Sequence, residues 1–128
     1  RGPSGDPREI ANWPELESAL VAAGVTIIRP EGDTRAFIRA MLDASIIITV
    51  EGSQDRHALY SLRDGGGMIT IAPPDRFYVA THEWARALDM HSGIVVGTTA
   101  EGGFTVAPTE VLQMIDTIQP LVENRGAV

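Results

Sequence analysis

Short apolar runs rich in β-branched residues alternate along the chain with longer segments whose apolar positions recur about every four residues. The apolar runs cover residues 25–28, 46–50, 68–72 and 93–96. Runs of this length that are apolar throughout are typical of strands covered on both faces, as in a parallel sheet. The pattern therefore predicts four such strands, with residues 101–106 as a loop or a short edge strand.

Helices with one apolar face are predicted between the strands. Asn12 and Glu15 match a capping box, so the first helix is predicted over residues 13–23, with Gly24 as its stop. Asp33 is the predicted N-cap of the second helix. Further helices are predicted near residue 55, over residues 77–88 and from Pro108, the last bent or ended by Pro120.

This alternation of strands and helices predicts a Rossmann-like three-layer α/β domain with a mainly parallel sheet and right-handed crossovers. We expect residues 13–128 to form one domain, preceded by a lead segment over residues 1–12. The lead is rich in Gly, Pro and Ser and starts with Arg1 instead of Met, so we expect a fragment of a longer chain.

The stretch from Ser45 to Arg76 organises the predicted fold. It comprises a strand, a turn, a helix, a break at residues 65–67 and a second strand that ends at Pro73-Pro74. We interpret the three glycines of the break as a flexible turn. Because ligands bind at the carboxyl ends of parallel strands, residues 51–56 and 73–76 are predicted to share one binding edge.

The composition of the chain excludes several kinds of catalysis and argues against some partners. The chain has ten arginines, no lysine and no cysteine, which excludes Schiff-base, Walker-A lysine and thiolate chemistry. Its net charge of −7 argues against a nucleic-acid partner. Its apolar runs are far shorter than the roughly 20 residues of a membrane span. We therefore predict a soluble chain with no direct membrane span, and we expect its location to be cytoplasmic.

Two turns are candidates for ligand binding. Residues 51–56 place a glycine and backbone N–H groups at a helix start, a natural phosphate site that Arg56 and His57 would help to neutralise. An ordinary turn is the alternative interpretation. Pro73 and Pro74 would fix Asp75 and Arg76 at the same edge, although a rigid loop with a solvated ion pair fits that sequence equally well.

The remaining polar and aromatic candidates favour structural roles. The three histidines lack metal-ligand spacing, and His82 is interpreted as a surface or packing residue. Trp84 lies one helical turn before Leu88, which favours a core position over a ligand platform. No Gly-x-Ser-x-Gly or Gly-x-Gly-x-x-Gly motif is present in the chain.

Short motifs in a fixed order resemble the carboxyl-terminal part of family-61 glycosyltransferases, often labelled capsular polysaccharide biosynthesis proteins in bacteria. The matching segments are Arg8-x-Ile10-x-Asn12, Glu51-Gly52-Ser53-Gln54, His57-Ala58-Leu59, Gly66, Pro73-Pro74-Asp75-Arg76-Phe77, Trp84-Ala85, Ala87-Leu88, Val95-Val96-Gly97 and Phe104-Thr105-Val106. The resemblance covers nearly the whole chain.

The resemblance implies the donor-nucleotide-binding domain of a GT-B enzyme, which transfers a sugar from a nucleotide-sugar to a glycan acceptor without a metal or other cofactor. Many members have His-Gly-Ala-Gly where this chain has Glu51-Gly52-Ser53-Gln54, so Glu51 is the candidate catalytic residue. It would position the sugar or accept the acceptor proton. The implied substrate-binding residues are Arg8, Gly52, Ser53, Gln54, Arg56, His57, Pro74, Asp75 and Arg76.

The same resemblance implies that this chain lacks parts of the family's fold. The acceptor domain is absent, and so is a strand expected between residues 25–28 and 46–50, so we do not expect activity from this chain alone. An amino-terminal partner segment or a homo-oligomer is predicted to cover the exposed strand edges. The alternative is a non-catalytic α/β interaction or oligomerisation module that retains the fold.

Overall fold

The computed structural model describes residues 9–29, 32–52, 54–76 and 79–125. The described elements are α1 (Trp13–Ala22), α2 (Thr34–Met41), β1 (Ala44–Val50), α3 (Gln54–Ser61), β2 (Leu62–Ala72), α4 (Ala80–Ala87), β3 (His91–Val96), β4 (Thr98–Ala100), β5 (Gly103–Thr105) and α5 (Pro108–Arg125).

Strands β1, β2 and β3 form a parallel sheet in that order. Ile48 pairs with Ile69, which pairs in turn with Gly93. Helix α3 connects the first two strands and α4 connects the second and third, so each crossover supplies one helix to the sheet. The predicted α/β fold with a parallel sheet flanked by helices is confirmed.

One face of the sheet is covered by α1 and α5. Leu16 and Leu20 of α1 join Ile118 and Val122 of α5 in a cluster that includes Ile69 and Ile71 of β2. These helices form because their apolar residues recur at helical spacing, and they are stabilised mainly by burying that face. This cluster is the larger of the two in the described part of the chain.

The other face is covered by α3 and α4, and its apolar cluster is smaller: Ala58, Leu59, Leu62, Met68 and Ala85. Helix α4 turns Thr81 and Ala85 inward. Trp84 is 38% exposed and Leu88 is 51% exposed. The predicted core position of Trp84 is therefore wrong, because the small residues of α4 face the sheet and let the helix approach it closely.

A short antiparallel hairpin follows the sheet, with β4 paired to β5. Phe104 of β5 is buried, and its backbone bonds to Glu9 and Ala11 ahead of α1. Asn12 donates to the carbonyl of Val106 at 2.8 Å and accepts from its N–H at 2.9 Å. Asn12 makes no side-chain cap bond to α1, so the predicted capping box is replaced by this long-range clamp.

Asp33 caps α2 as predicted, since its side chain accepts from the Arg35 N–H. Residues 25–28, in contrast, do not form the predicted strand. Strand β1 pairs only with β2 among the described residues, and a groove separates β1 from residues 25–28. A strand forms only where a neighbour supplies hydrogen bonds, and residues 25–28 lack that neighbour.

The three glycines at residues 65–67 are not the predicted flexible turn, because they lie inside β2. The ladder is irregular there: Ala44 pairs with Leu62, whereas Ile46 pairs with Gly67. A β-carbon on Gly67 would lie 2.5 Å from Cγ2 of Ile118. Glycine at Gly67 therefore lets α5 pack closely on the sheet without displacing Ile118.

Pro120 does not end α5, which continues to Arg125. Its ring is exposed, while Ile118 and Val122 on either side of it are buried against the sheet. Packing of this apolar face compensates for the hydrogen bond that proline removes. None of the helices in the described ranges combines the length and apolar character needed to cross a membrane.

Candidate functional site

The carboxyl ends of the three parallel strands lie side by side. The Glu51 N–H donates to the carbonyl of Ile71 at 2.8 Å, and the Gly97 N–H donates to the carbonyl of Ala72 at 2.9 Å. These two bonds extend the sheet by one residue and bring Glu51, Pro73 and Gly97 to the same edge. We call this edge, with the turns after β1 and β2, the carboxyl rim.

Gly52 leads from β1 into α3. Its φ of +150° lies in a region that favours glycine, so the residue type is set by the backbone. The Asp55 N–H donates to the carbonyl of Gly52 at 3.1 Å, which starts the helix. Ser53 and the side chain of Gln54, both predicted to bind substrate, lie outside what the structure describes.

Asp55 is buried beneath this turn, with 2% of its surface exposed. Its Oδ2 accepts from the Gly52 N–H at 3.4 Å and from the Thr81 hydroxyl at 3.5 Å. Both bonds are long and therefore weak. Its Oδ1 has no hydrogen-bond partner among the described residues. Burial, and to a lesser extent the nearby charge of Glu51, raise the pKa of Asp55 from 3.8 to about 6, although the hydrogen bonds to the carboxylate lower it.

Neither Asp55 nor Thr81 is among the site residues that the sequence predicts singly, although Asp55 lies within the predicted turn of residues 51–56. The available signal was an acidic residue in the first turn of a helix, four positions after Glu51. That pattern usually indicates an exposed capping residue. Only the packing of α4 against α3, which brings Thr81 to Asp55, shows that this carboxyl group is buried.

Residues 73–76 form a tight turn after β2, in which the Arg76 N–H donates to the carbonyl of Pro73 at 3.2 Å. Pro73 is buried, Pro74 and Asp75 are exposed, and Arg76 is half-buried. Proline at the second position of such a turn fixes the backbone in advance. The turn holds Asp75 and Arg76 at the carboxyl rim, next to the turn after β1.

Arg56 and His57 are both exposed on α3. The Arg56 guanidinium carbon lies 5.5 Å from the centroid of the Trp84 ring, a cation–π contact between α3 and α4. Trp84 therefore holds the Arg56 side chain against α4. His82 is exposed, as predicted, and its Nδ1 lies 3.0 Å from the Ser92 hydroxyl.

The rim thus brings together Glu51, Gly52 and Asp55 on one strand end with the turn of residues 73–76 on the next. Arg8 lies outside the described residues. Within the described part of the chain, no three His, Cys, Asp or Glu side chains are grouped so that they could hold a metal ion.

A groove of about 870 Å³ runs from the rim along the free edge of β1. Its walls are residues 24–28 on one side and β1 on the other, and α2 contributes Phe37, Ala40 and Met41. It reaches Glu51 and Gly52 at its end. We call it the edge groove.

Fold and rim together define an α/β domain with a three-stranded parallel sheet flanked by helices, an arrangement consistent with a Rossmann-like domain. Comparison with protein-family models, curated proteins and solved structures found no match. The geometry of the site is therefore the basis for the function proposed below.

Proposed function

We propose that the domain binds a nucleotide-sugar at the carboxyl rim, as the donor half of a glycosyltransferase that acts in glycan synthesis. One observation carries the proposal: the turn before α3 and the turn of residues 73–76 follow adjacent parallel strands and lie at one edge. In open parallel sheets this edge is where nucleotides and other ligands bind. The resemblance to family-61 glycosyltransferases involves the same two turns.

The proposed roles follow from the positions of the residues. Gly52 allows the donor diphosphate to approach the backbone beside the amino-terminal end of α3, where the helix dipole is positive. Arg76 neutralises charge on the departing nucleotide. Glu51 positions the sugar in the first instance, and accepting the acceptor proton is its alternative role.

The reaction implied is a direct group transfer. The bond between the anomeric carbon of the sugar and the nucleotide phosphate breaks, and the acceptor oxygen bonds to that carbon. The nucleotide leaves with the bonding electron pair, and the acceptor hydroxyl loses its proton to a base. The acceptor and its binding half belong to a partner domain or a second subunit in this proposal.

Calorimetric titration with UDP-, GDP- and CMP-sugars tests the proposal. We expect one of them to bind, and we expect Arg76→Ala to weaken that binding by about 1–3 kcal/mol because a charged hydrogen bond is lost. Arg63→Ala is the matched control, since Arg63 is an exposed arginine at the opposite end of β2. No binding in the millimolar range, or equal effects of the two substitutions, would contradict the proposal.

A second candidate function is a non-catalytic α/β interaction module. The observation that favours it is the edge groove, which leaves β1 without a neighbour on one side in the described structure and has no arginine among its lining residues. Under this function the domain would bind no nucleotide-sugar, and the titrations above would show no heat.

A further inference from the structure

The side chain of Asp55 connects the turn at Gly52 to helix α4, and its contacts are loose. Its Oδ2 atom accepts from the Gly52 N–H at 3.4 Å and from the Thr81 hydroxyl at 3.5 Å. Donors that bind an ionised carboxylate usually approach to about 2.5–2.9 Å. Both contacts therefore have room to shorten when the carboxyl group carries its charge.

Water hardly reaches this contact, because Asp55 is 2% exposed and Thr81 is 4% exposed. The second carboxyl oxygen, Oδ1, has no hydrogen-bond partner among the described residues. A buried carboxyl group with so few partners loses free energy when it ionises. The ionised form of Asp55 therefore depends strongly on the two donors that reach Oδ2.

The two partners of Asp55 respond differently to a proton on the carboxyl group. A backbone N–H such as that of Gly52 can only donate, whereas a threonine hydroxyl can donate or accept. Protonated Asp55 has an O–H group that needs an acceptor, and the Thr81 oxygen is already in contact with Oδ2. Thr81 therefore suits both states of the carboxyl group, while the Gly52 N–H is matched to the ionised state.

Burial is the main reason why the pKa of Asp55 lies at about 6, and the charge of Glu51 after β1 also raises it. The Thr49 hydroxyl on β1 lowers this pKa, although it also donates to the carbonyl of Val50 at 3.2 Å. The ionisable side chains that α3 and α4 place around Asp55 are exposed: Arg56, His57, His82, Glu83 and Arg86.

We infer that the Asp55 carboxyl group is a proton-controlled latch on the Gly52 turn. The ionised group accepts from the Gly52 N–H and holds the turn closed. The protonated group donates to the Thr81 oxygen instead and releases that N–H. Thr81 is the positioning residue of the latch, because it keeps the Asp55 side chain between α3 and α4 in both states.

The consequence for a ligand rests on the proposed function. In that function the donor diphosphate lies beside Gly52, where an ionised Asp55 competes for the N–H and repels the diphosphate charge. Protonation of Asp55 removes both obstacles. Asp55 is therefore an autoinhibitory group that a fall in pH disengages.

Amide hydrogen exchange in the ligand-free protein tests the latch by itself. We expect the protection of the Gly52 N–H, corrected for intrinsic exchange, to rise about tenfold as the pH increases through about 6, because a charged hydrogen bond forms. The Arg76 N–H, which donates to the carbonyl of Pro73 in the neighbouring turn, is the control and should not change. Gly52 protection that stays constant or falls would overturn the inference.

Substitutions at Thr81 separate positioning from packing, and carbon-13 NMR of the Asp55 carboxyl group provides the measurement. Thr81→Val removes a hydroxyl that bonds more strongly to the ionised form, so the titration midpoint should move to higher pH. Thr81→Ser keeps the hydroxyl and should restore the wild-type midpoint. Thr70→Val is the matched control, since Thr70 is also buried but does not contribute to the Asp55 pKa. Equal midpoints in the wild type and Thr81→Val would overturn the role of Thr81.

Titration with UDP-, GDP- and CMP-sugars tests the consequence for the ligand. We expect the donor that binds to do so about tenfold more tightly at about pH 5 than at about pH 8, and we expect Asp55→Asn to bind it equally at both. Equal wild-type affinities would overturn the autoinhibitory role. Absence of binding by all three would contradict the proposed function instead, and the exchange of the Gly52 N–H would still decide whether the latch exists.

Discussion

The apolar cluster on the α1/α5 face of the sheet has ten buried residues, whereas the cluster on the α3/α4 face has five, in both cases counting strand residues as well as helix residues. The second face also holds the buried carboxyl group of Asp55 and its contact with Thr81. Burial of a carboxylate opposes folding, and burial of apolar surface favours it. The comparison indicates that the α1/α5 face supplies most of the stability and that the α3/α4 face builds the rim.

Truncation of two adjacent residues on β2 should give the largest change in stability and tests which face of the sheet is more stabilising. Ile69 faces the α1/α5 cluster and Met68 faces the α3/α4 cluster, and both are 0% exposed. We expect Ile69→Ala to lower the free energy of unfolding by about 4 kcal/mol and Met68→Ala by about 2 kcal/mol, both within the range for such truncations. Urea denaturation measures both values. A larger loss from Met68→Ala would reverse the assignment of stability to the two faces.

The close approach of α5 to the sheet predicts the next effect. A β-carbon on Gly67 would lie 2.5 Å from Cγ2 of Ile118 and 3.3 Å from Cγ2 of Val122. Gly67→Ala should therefore lower the free energy of unfolding by about 3 kcal/mol through overpacking.

The double variant of Gly67→Ala with Ile118→Ala serves as the control for that prediction. Ile118→Ala removes the clashing methyl group, so the loss in the double variant should be smaller than the sum of the two single losses. Additive losses would show that the contact between Gly67 and α5 does not limit the residue at this position.

A substitution at Asp55 should have the opposite effect. We expect Asp55→Asn to raise the free energy of unfolding, by less than Ile69→Ala lowers it. The pKa of Asp55 rises from an ordinary value of 3.8 to about 6 in the folded protein, chiefly through burial. The stability associated with its protonated form is fully present below pH 3.8 and is lost as the pH rises through about 6. The stability lost when Asp55 ionises corresponds to about 3 kcal/mol of unfolding free energy. At a pH well above the raised pKa, Asp55→Asn should recover about 2 kcal/mol of that loss.

Thermal or urea unfolding between pH 4 and pH 8 measures this effect. The wild-type free energy of unfolding should fall relative to that of Asp55→Asn across this interval. Asp64→Asn is the control, because Asp64 is exposed on β2. Parallel curves for the wild type and Asp55→Asn would show that the buried carboxyl group does not titrate in this range.

Asp55 also affects the proposed ligand. Neutralising it removes a negative charge near the donor diphosphate, so affinity for a nucleotide-sugar should increase as the pH falls through about 6. A nucleotide-sugar is a suitable probe because it has no phosphate monoester. Such a group ionises at about pH 6 and would change the charge of the ligand in the same pH range as Asp55. A nucleotide-sugar affinity that does not change with pH would show that the charge of Asp55 does not influence ligand binding.

Much of the fold follows from local pattern. Three of the four predicted strands form, and the Asp33 cap of α2 is present as predicted, because β-branched runs and capping residues act over short distances. The errors concern long-range packing. Residues 25–28 have strand composition but no neighbour, and the glycines at 65–67 serve the fit of α5, which no local pattern indicates.

The candidate site also has features that follow from the local sequence and features that depend on long-range packing. Pro73, Pro74 and the glycine at position 52 identify the two turns from sequence alone, because their backbone constraints are intrinsic to the residue type. The buried state of Asp55 and the exposed state of Trp84 depend on the rotation of α3 and α4 about their axes. Small residues on α4, and not the aromatic one, set that rotation.

Nitrogen-15 NMR titration with UDP-, GDP- and CMP-sugars shows whether the carboxyl rim is the ligand site. We expect one of these donors to shift the amide signals of Gly52, Arg76 and Gly97 and to leave those of Gly66 and Ser92, at the opposite end of the sheet, in place. Shifts centred on Gly66 and Ser92, or no shift with any donor at millimolar concentration, would contradict it.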